Sequence, residues 1–133
     1  MSADFLLDTN AVSDLVRHPQ GSVASRIAEI GEEKICTSII VAAELRYGAA
    51  KRGSERLSRQ LDTVLSRMVI VGFKAPMDET YAAIRTHLER SGTPIGGNDL
   101  LTAAQARCLD LTVVTANVGE FSRVPGLAVE TWT

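Results

Sequence analysis

The stretch Phe5-Leu6-Leu7-Asp8-Thr9-Asn10 decides how this chain is read. Three apolar residues in a row suit a short strand buried on both faces, the kind a parallel sheet uses. The run then stops at a carboxylate and two polar residues that favour turns and caps. A similar pattern returns late in the chain, where Leu111-Thr112-Val113-Val114-Thr115 runs into Ala116-Asn117. Lys34-Ile35-Cys36-Thr37 and Val69-Ile70-Val71 read as two further strands, and Gly126 to Trp132 as a last one.

Helical patterns fill the intervals. Asn10 to Val16 suits a short first helix, and Pro19-Gln20-Gly21 a turn. Ser22 is expected to cap a second helix that carries Val23, Ile27 and Ile30 on one face and stops at Gly31. Ser38 is expected to cap a helix from Ile39 to Arg52, which Gly53-Ser54 breaks. Leu57, Leu61, Val64 and Leu65 recur at helical spacing, so a helix is predicted over Glu55 to Arg67. Two more follow, Met77 to Arg90 and Asp99 to Cys108, separated by the loop Thr93 to Asn98. Strands alternating with helices predict an α/β sandwich of three layers, with a mainly parallel central sheet flanked by helices.

The 133 residues suit one domain spanning 1–133, with no repeat or linker to divide it. No apolar run approaches the roughly 20 residues of a membrane span. No signal peptide is readable in Met1-Ser2-Ala3-Asp4, so a cytoplasmic protein is expected. Cys36 and Cys108 lack a zinc or redox spacing and read as small reduced residues. The net charge of −2 gives no global argument for nucleic-acid binding. Locally, Arg46, Lys51, Arg52, Arg56 and Arg59 stand against the single acid Glu55. That stretch is either a solvated helical face or a contact for RNA phosphates.

Asp8, Glu44 and Asp99 carry the chemistry. Asp8 ends a strand, Glu44 is set in the apolar run Ile39 to Leu45, and Asp99 opens the apolar stretch Leu100 to Ala106. In parallel α/β sheets, sites form outside the carboxyl ends of strands, where Asp8 and Asn117 both belong. Taken singly, Asp8 could be a turn or cap residue, Glu44 a complement to a helix dipole and Asp99 an N-cap. Taken together, three acids against apolar surface ask for a shared partner, and a hard divalent cation prefers oxygen ligands. Such an ion suits phosphodiester hydrolysis. Neither His18 nor His87 has a second His or Cys at ligand spacing, which argues against a transition-metal site. The chain contains no phosphate loop, no dinucleotide fingerprint and no G-x-S-x-G elbow.

Four segments in order resemble the PIN-domain family. Leu6-Leu7-Asp8-Thr9-Asn10 is similar to its opening L-D-T-N, and Ser38 to Gly48 to its S-x(5)-E-L-x-x-G motif. Thr93 to Ala104 is similar to P-[IV]-G-x-x-D-x-x-I-A-A. Val113 to Phe121, followed by Val124-Pro125-Gly126-Leu127, resembles the terminal V-T-x-N-x-x-E-F…V-P-G-L. The match is to the VapC type of toxin from type II toxin–antitoxin pairs, near its initiator-tRNA-cleaving branch.

The resemblance implies a Mg²⁺-dependent endoribonuclease, with Mn²⁺ able to substitute, acting on RNA such as initiator tRNA. It implies Asp8, Glu44 and Asp99 as the catalytic and metal-binding triad. Thr9, Ser38 and Thr115 fall at its supporting hydroxyl positions. Asn117 occupies a place where Asp is common, and Glu120 is expected to help through a water. Ala116 stands where the tRNA-cleaving branch has a more polar residue. Expected partners are a VapB-type antitoxin and a second copy of the chain, with operator DNA reached only through the antitoxin. The competing reading is a non-catalytic RNA-binding or phosphoacceptor signalling module. A phosphoacceptor domain needs a lysine after its last strands, and the final lysine here is Lys74.

Overall fold

The computed structural model describes residues 1–133. Phe5–Leu7 forms β1, the middle strand of a five-stranded sheet ordered β3-β2-β1-β4-β5. The others are β2 (Ile35–Ser38), β3 (Val69–Val71), β4 (Thr112–Val114) and β5 (Val129–Glu130). Every pairing is parallel, so the sheet is fully and not only mainly parallel.

From β1 the chain winds outward to β3, then crosses back to lay β4 on the other side of β1. Right-handed crossovers in opposite directions put their helices on opposite faces. The first face carries α1 (Thr9–Arg17), α2 (Ser22–Ile30), α3 (Ile39–Arg52) and α4 (Glu55–Leu65). The second carries α5 (Met77–Arg90), α6 (Gly97–Cys108) and the short α7 (Val118–Phe121).

Strand alternation builds two cores from consecutive residues. Leu6, Cys36 and Val113 share a register and pack with Ile84, Leu88, Leu100 and Phe121. Leu7 and Val114 point the other way, into a cluster with Val12, Val23, Ile27, Val41 and Leu61. Leu6, Leu7 and Val113 are wholly excluded from solvent.

The observed elements depart from expectation mainly at their ends. Asp8 is the N-cap of α1, so that helix starts at Thr9. Gly21, not Ser22, caps α2, because its carbonyl already accepts the Ser25 N–H at 2.9 Å. Ser38 caps α3 as expected, and Gly53 ends it with a left-handed φ of 64° that favours glycine. The fourth helix stops at Leu65, and α6 begins two residues early because Gly96 is its N-cap. A 3-10 turn over Glu32–Lys34 and the helix α7 are additional elements, too short to carry an apolar period. The last strand is two residues long, not seven. Gly126 at φ 75° turns the chain before it, and Trp132 beyond it folds back against Phe5, with ring centroids 5.1 Å apart. Asp14 on α1 is half-buried, and its Oδ2 has no hydrogen-bond partner.

Leu6 sits in the closed centre of its core, whereas Tyr47 is 66% exposed on α3. Leu6→Ala is expected to cost about 2–5 kcal/mol in urea unfolding. Tyr47→Ala should change stability by less than about 0.5 kcal/mol in the same assay.

Candidate active site at the carboxyl edge of the sheet

The site starts where β1 ends. The Asp8 N–H donates to the Val114 carbonyl at 3.0 Å, which extends the β1–β4 ladder by one residue. Its Oδ1 accepts the Ala11 N–H at 2.9 Å. Asp8 is therefore a helix cap whose carboxylate lies at this edge, so the cap reading does not exclude a further role. The Thr37 hydroxyl donates to the Leu7 carbonyl at 2.6 Å and pins the strand just before this carboxylate. Burial pushes the Asp8 carboxyl above its ordinary value, and the Glu44 charge adds to the rise. Hydrogen bonds from Thr115, Ala11 and Asn10 act in the other direction.

Glu44 reaches the same edge from the next crossover. β2 passes directly into α3 at Ser38, whose hydroxyl accepts the Ile40 N–H at 2.9 Å. The Glu44 Oε1 accepts the Thr9 hydroxyl at 3.0 Å, so the residue after Asp8 steadies the second acid.

Asp99 arrives from the opposite face, in the first turn of α6. Burial first, then the charges of Glu120, Asp8 and Glu44, push its carboxyl up to about 7. That response shows the acids sharing one electrostatic environment although they are far apart in sequence.

Glu120 is built in more firmly than expected. Its Oε1 accepts the Gly96 N–H at 2.7 Å and its Oε2 accepts Nδ2 of Asn117 at 2.6 Å. The Gly96 bond, aided by those of Asn117 and Asp99 and by the Arg123 charge, holds the Glu120 carboxyl below its ordinary range. Asn117 thus serves Glu120, and its own N–H donates to the Thr115 hydroxyl at 2.8 Å. The fourth acid beside Asp99 is Glu120, supplied by α7.

Two residues escaped the sequence reading. Thr37 gave no signal, since a threonine in a strand is ordinary. Gln105 did give one: it interrupts the otherwise apolar Ala103, Ala104 and Ala106, and it is wholly buried. Among the basic residues, Arg46 is paired with Asp62 at 2.6 Å, while Lys51, Arg52 and Arg56 are exposed along the α3–α4 turn. A cleft of about 420 Å³ lies elsewhere, between α1, α2 and α4, and Asp8, Glu44, Asp99 and Glu120 do not line it.

Every donor at the site is an oxygen, which fits Mg²⁺ or Mn²⁺. No three Asp, Glu, His or Cys side chains are grouped closely enough to hold a metal ion by themselves. An open pocket suits Mg²⁺, which keeps several waters and takes one or two protein carboxylates directly.

A family model described as PIN domain matches residues 5–127. The ribonuclease VapC2 of Rickettsia felis is 39% identical over 130 residues, covering 96% of this chain and 97% of that one. The tRNA(fMet)-specific endonuclease VapC of Shigella flexneri is 35% identical over 130 residues, covering 97% and 98%. The crystal structure of VapBC2 from Rickettsia felis, bound to a DNA fragment from its promoter, contains a similar chain. The TM-score is 0.89 at 36% identity, with 97% and 98% covered.

The raised Asp99 carboxyl sets a pH dependence for the metal-free protein. Its folded value near 7 lies above the ordinary 3.8, so its stabilising protonated form is lost as pH rises through the folded value. Asp8 acts in the same direction, and Glu120, lowered from 4.5, matters only in more acidic solution. The melting temperature without divalent ions should therefore fall between about pH 4 and pH 7 and level off above that. Calorimetric scans should show Asp99→Asn flattening that fall and Mg²⁺ stabilising the wild type more at the upper pH. A wild-type slope that survives in Asp99→Asn would refute the assignment.

Proposed function

The chain belongs to the PIN-domain family, and from that membership we propose that it is the VapC-type toxin of a type II toxin–antitoxin pair. It hydrolyses RNA phosphodiesters, and initiator tRNA is its substrate, as in the name of the Shigella flexneri relative. PIN-domain nucleases depend on divalent metal, and Mg²⁺ is the ion assigned here, with Mn²⁺ able to replace it. The observation that carries the reading is the convergence of Asp8, Glu44 and Asp99 on one edge, where the charges of Asp8 and Glu44 both raise the Asp99 carboxyl and Glu44 also raises that of Asp8.

Asp8 and Asp99 would hold the ion. A bound divalent cation supplies neutralisation of the phosphate charge and a more acidic water. Glu44, steadied by the Thr9 hydroxyl, orients the attacking water and takes its proton as oxygen bonds to phosphorus. The bond from phosphorus to the 3′ oxygen breaks, leaving a 5′-phosphate and, after protonation from solvent, a 3′-hydroxyl. Ser38 and Thr115 support the two elements that carry Glu44 and Asp8.

A VapB-type antitoxin is the partner, as the VapBC complexes among the structural neighbours indicate. An arginine from its C-terminal segment would find charge-assisted acceptors in this acidic pocket. Operator DNA is contacted through the antitoxin, and the toxin forms a homodimer in the complex. No helix is long and apolar enough to cross a membrane, which supports a cytoplasmic location.

Induction without the antitoxin should arrest growth, and Asp8→Ala or Asp99→Ala should abolish the arrest. Sequencing of RNA 5′-phosphate ends should reveal one new cut in the initiator-tRNA anticodon loop. No new ends would sink the nuclease reading, and arrest by Asp99→Ala would leave RNA binding alone as the cause. With purified protein, Glu44→Gln should slow cleavage roughly 10²–10⁴-fold.

The exposed Arg52 and Arg56 should bind RNA phosphates. Reversing both charges should flatten the plot of log affinity against log salt by about 0.7–0.9 for each phosphate that is no longer neutralised. An unchanged slope returns both residues to a solvated face.

A further inference from the structure

Six polar side chains of the chain are buried: Asp8, Thr37, Ser38, Thr102, Gln105 and Thr115. Gln105 is the largest of them apart from any role in the acid pocket, and no part of it reaches solvent. Its carboxamide lies where the two faces of the molecule meet above the sheet. Nε2 donates to the Val71 carbonyl at 3.0 Å, and Oε1 accepts the hydroxyl of Ser38. Val71 and Ser38 are register partners at the carboxyl ends of β3 and β2.

The direction of this relay is determined. The Val71 carbonyl can only accept, so it must face the amide nitrogen. A rotated carboxamide would set two carbonyl oxygens against each other. Oε1 therefore faces Ser38, whose hydroxyl must donate. The lone pairs of Ser38 then accept the Ile40 N–H at 2.9 Å, in the first turn of α3. One line of hydrogen bonds thus joins the start of α3, the ends of β2 and β3, and the buried face of α6.

Those elements carry two of the site acids. Glu44 follows Ser38 by six residues on α3, and Asp99 precedes Gln105 by six on α6, about 9 Å along each helix axis. The flanking residues of α6 at this contact are Ala103, Ala104 and Ala106. Their apolar contacts are non-directional and leave a helix free to slide or rotate slightly. The two bonds of Gln105 are the side-chain hydrogen bonds that tie α6 to β2 and β3.

We infer that Gln105 is a positioning residue: through Ser38 and Val71 it sets the separation of Asp99 from Glu44, and with it the fit of the pocket to a divalent ion. This rests on the nuclease reading of the acids. An alternative in which Gln105 only satisfies its own buried polar atoms makes a different prediction, because stability would then change without any change at the pocket.

The test uses the full chain with Gln105→Leu, Ser38→Ala and the double variant, each at a temperature where circular dichroism shows it folded. Mn²⁺ binding is measured by calorimetry, and kcat and KM are measured on initiator tRNA. Loss of a supporting hydrogen bond at a metal pocket should weaken Mn²⁺ binding by roughly 10–100-fold and lower kcat over a similar range. KM for the RNA should change less than kcat, because the phosphate contacts proposed for Arg52 and Arg56 lie away from the pocket. The double variant should be little worse than Gln105→Leu, since both break one relay. Ser38→Ala keeps the proposal testable if Gln105→Leu fails to fold. A lower melting temperature with unchanged Mn²⁺ affinity and kcat would overturn the positioning role. A wild type that neither binds Mn²⁺ nor cleaves RNA would instead overturn the nuclease reading, and the inference with it.

Discussion

Crowding of carboxylates against apolar surface is the constraint on which the rest of this molecule depends. Asp8, Glu44, Asp99 and Glu120 repel one another in the absence of a cation, and burial sharpens the effect. Left to themselves, flexible acids would separate. Here three of them are anchored by backbone geometry, and Glu44 by the Thr9 hydroxyl. Asp8 is fixed by the β1–β4 ladder and its own cap bond, Asp99 by the first turn of α6, and Glu120 by the Gly96 N–H. Two apolar cores, one on each face of the sheet, supply the cohesion that holds these anchors in place.

The distribution of buried polarity follows from that constraint. The buried Asp, Thr, Ser and Gln side chains cluster at the carboxyl edge, on β1, β2, β4 and α6 or in the residues that extend them. Elsewhere the fully buried side chains are apolar. A buried polar group is costly without partners, so its concentration at one edge marks where orientation matters more than stability. Thr37 pins the carbonyl before Asp8, Thr9 steadies Glu44, and Asn117 steadies Glu120. The surface ion pairs, such as Arg46–Asp62 and Arg67–Glu32, are exposed and contribute little by comparison.

Strand order explains why acids so distant in sequence can meet. β1 lies between β2 and β4, and the chain changes its winding direction across that boundary. The crevice at such a reversal is where open α/β sheets bind ligands. Glu44 enters it from the first face and Asp99 from the second. A pocket built this way is open to solvent above the sheet, which an RNA phosphate requires, and its floor is the strand end carrying Asp8.

The sequence by itself determined the alternation of strands and helices and the strand that ends at Asp8, and it singled out the three acids that share one electrostatic environment. These are local matters: apolar runs, helical spacing and caps such as Ser38 and Gly53 are written in neighbouring residues. Element ends were less legible at Gly21 and Gly96, where turn geometry outside the helix supplies the cap. The last strand shrank because its pairing length depends on β4, and α7 is too short to leave a period. Only the tertiary structure decided that Asn117 turns to Glu120, that Thr37 reaches the carbonyl before Asp8, and that Gln105 joins α6 to β2 and β3. Those bonds span between 3 and 67 residues of chain, and a hydrogen bond depends on distance and direction in space, which residue order alone does not encode.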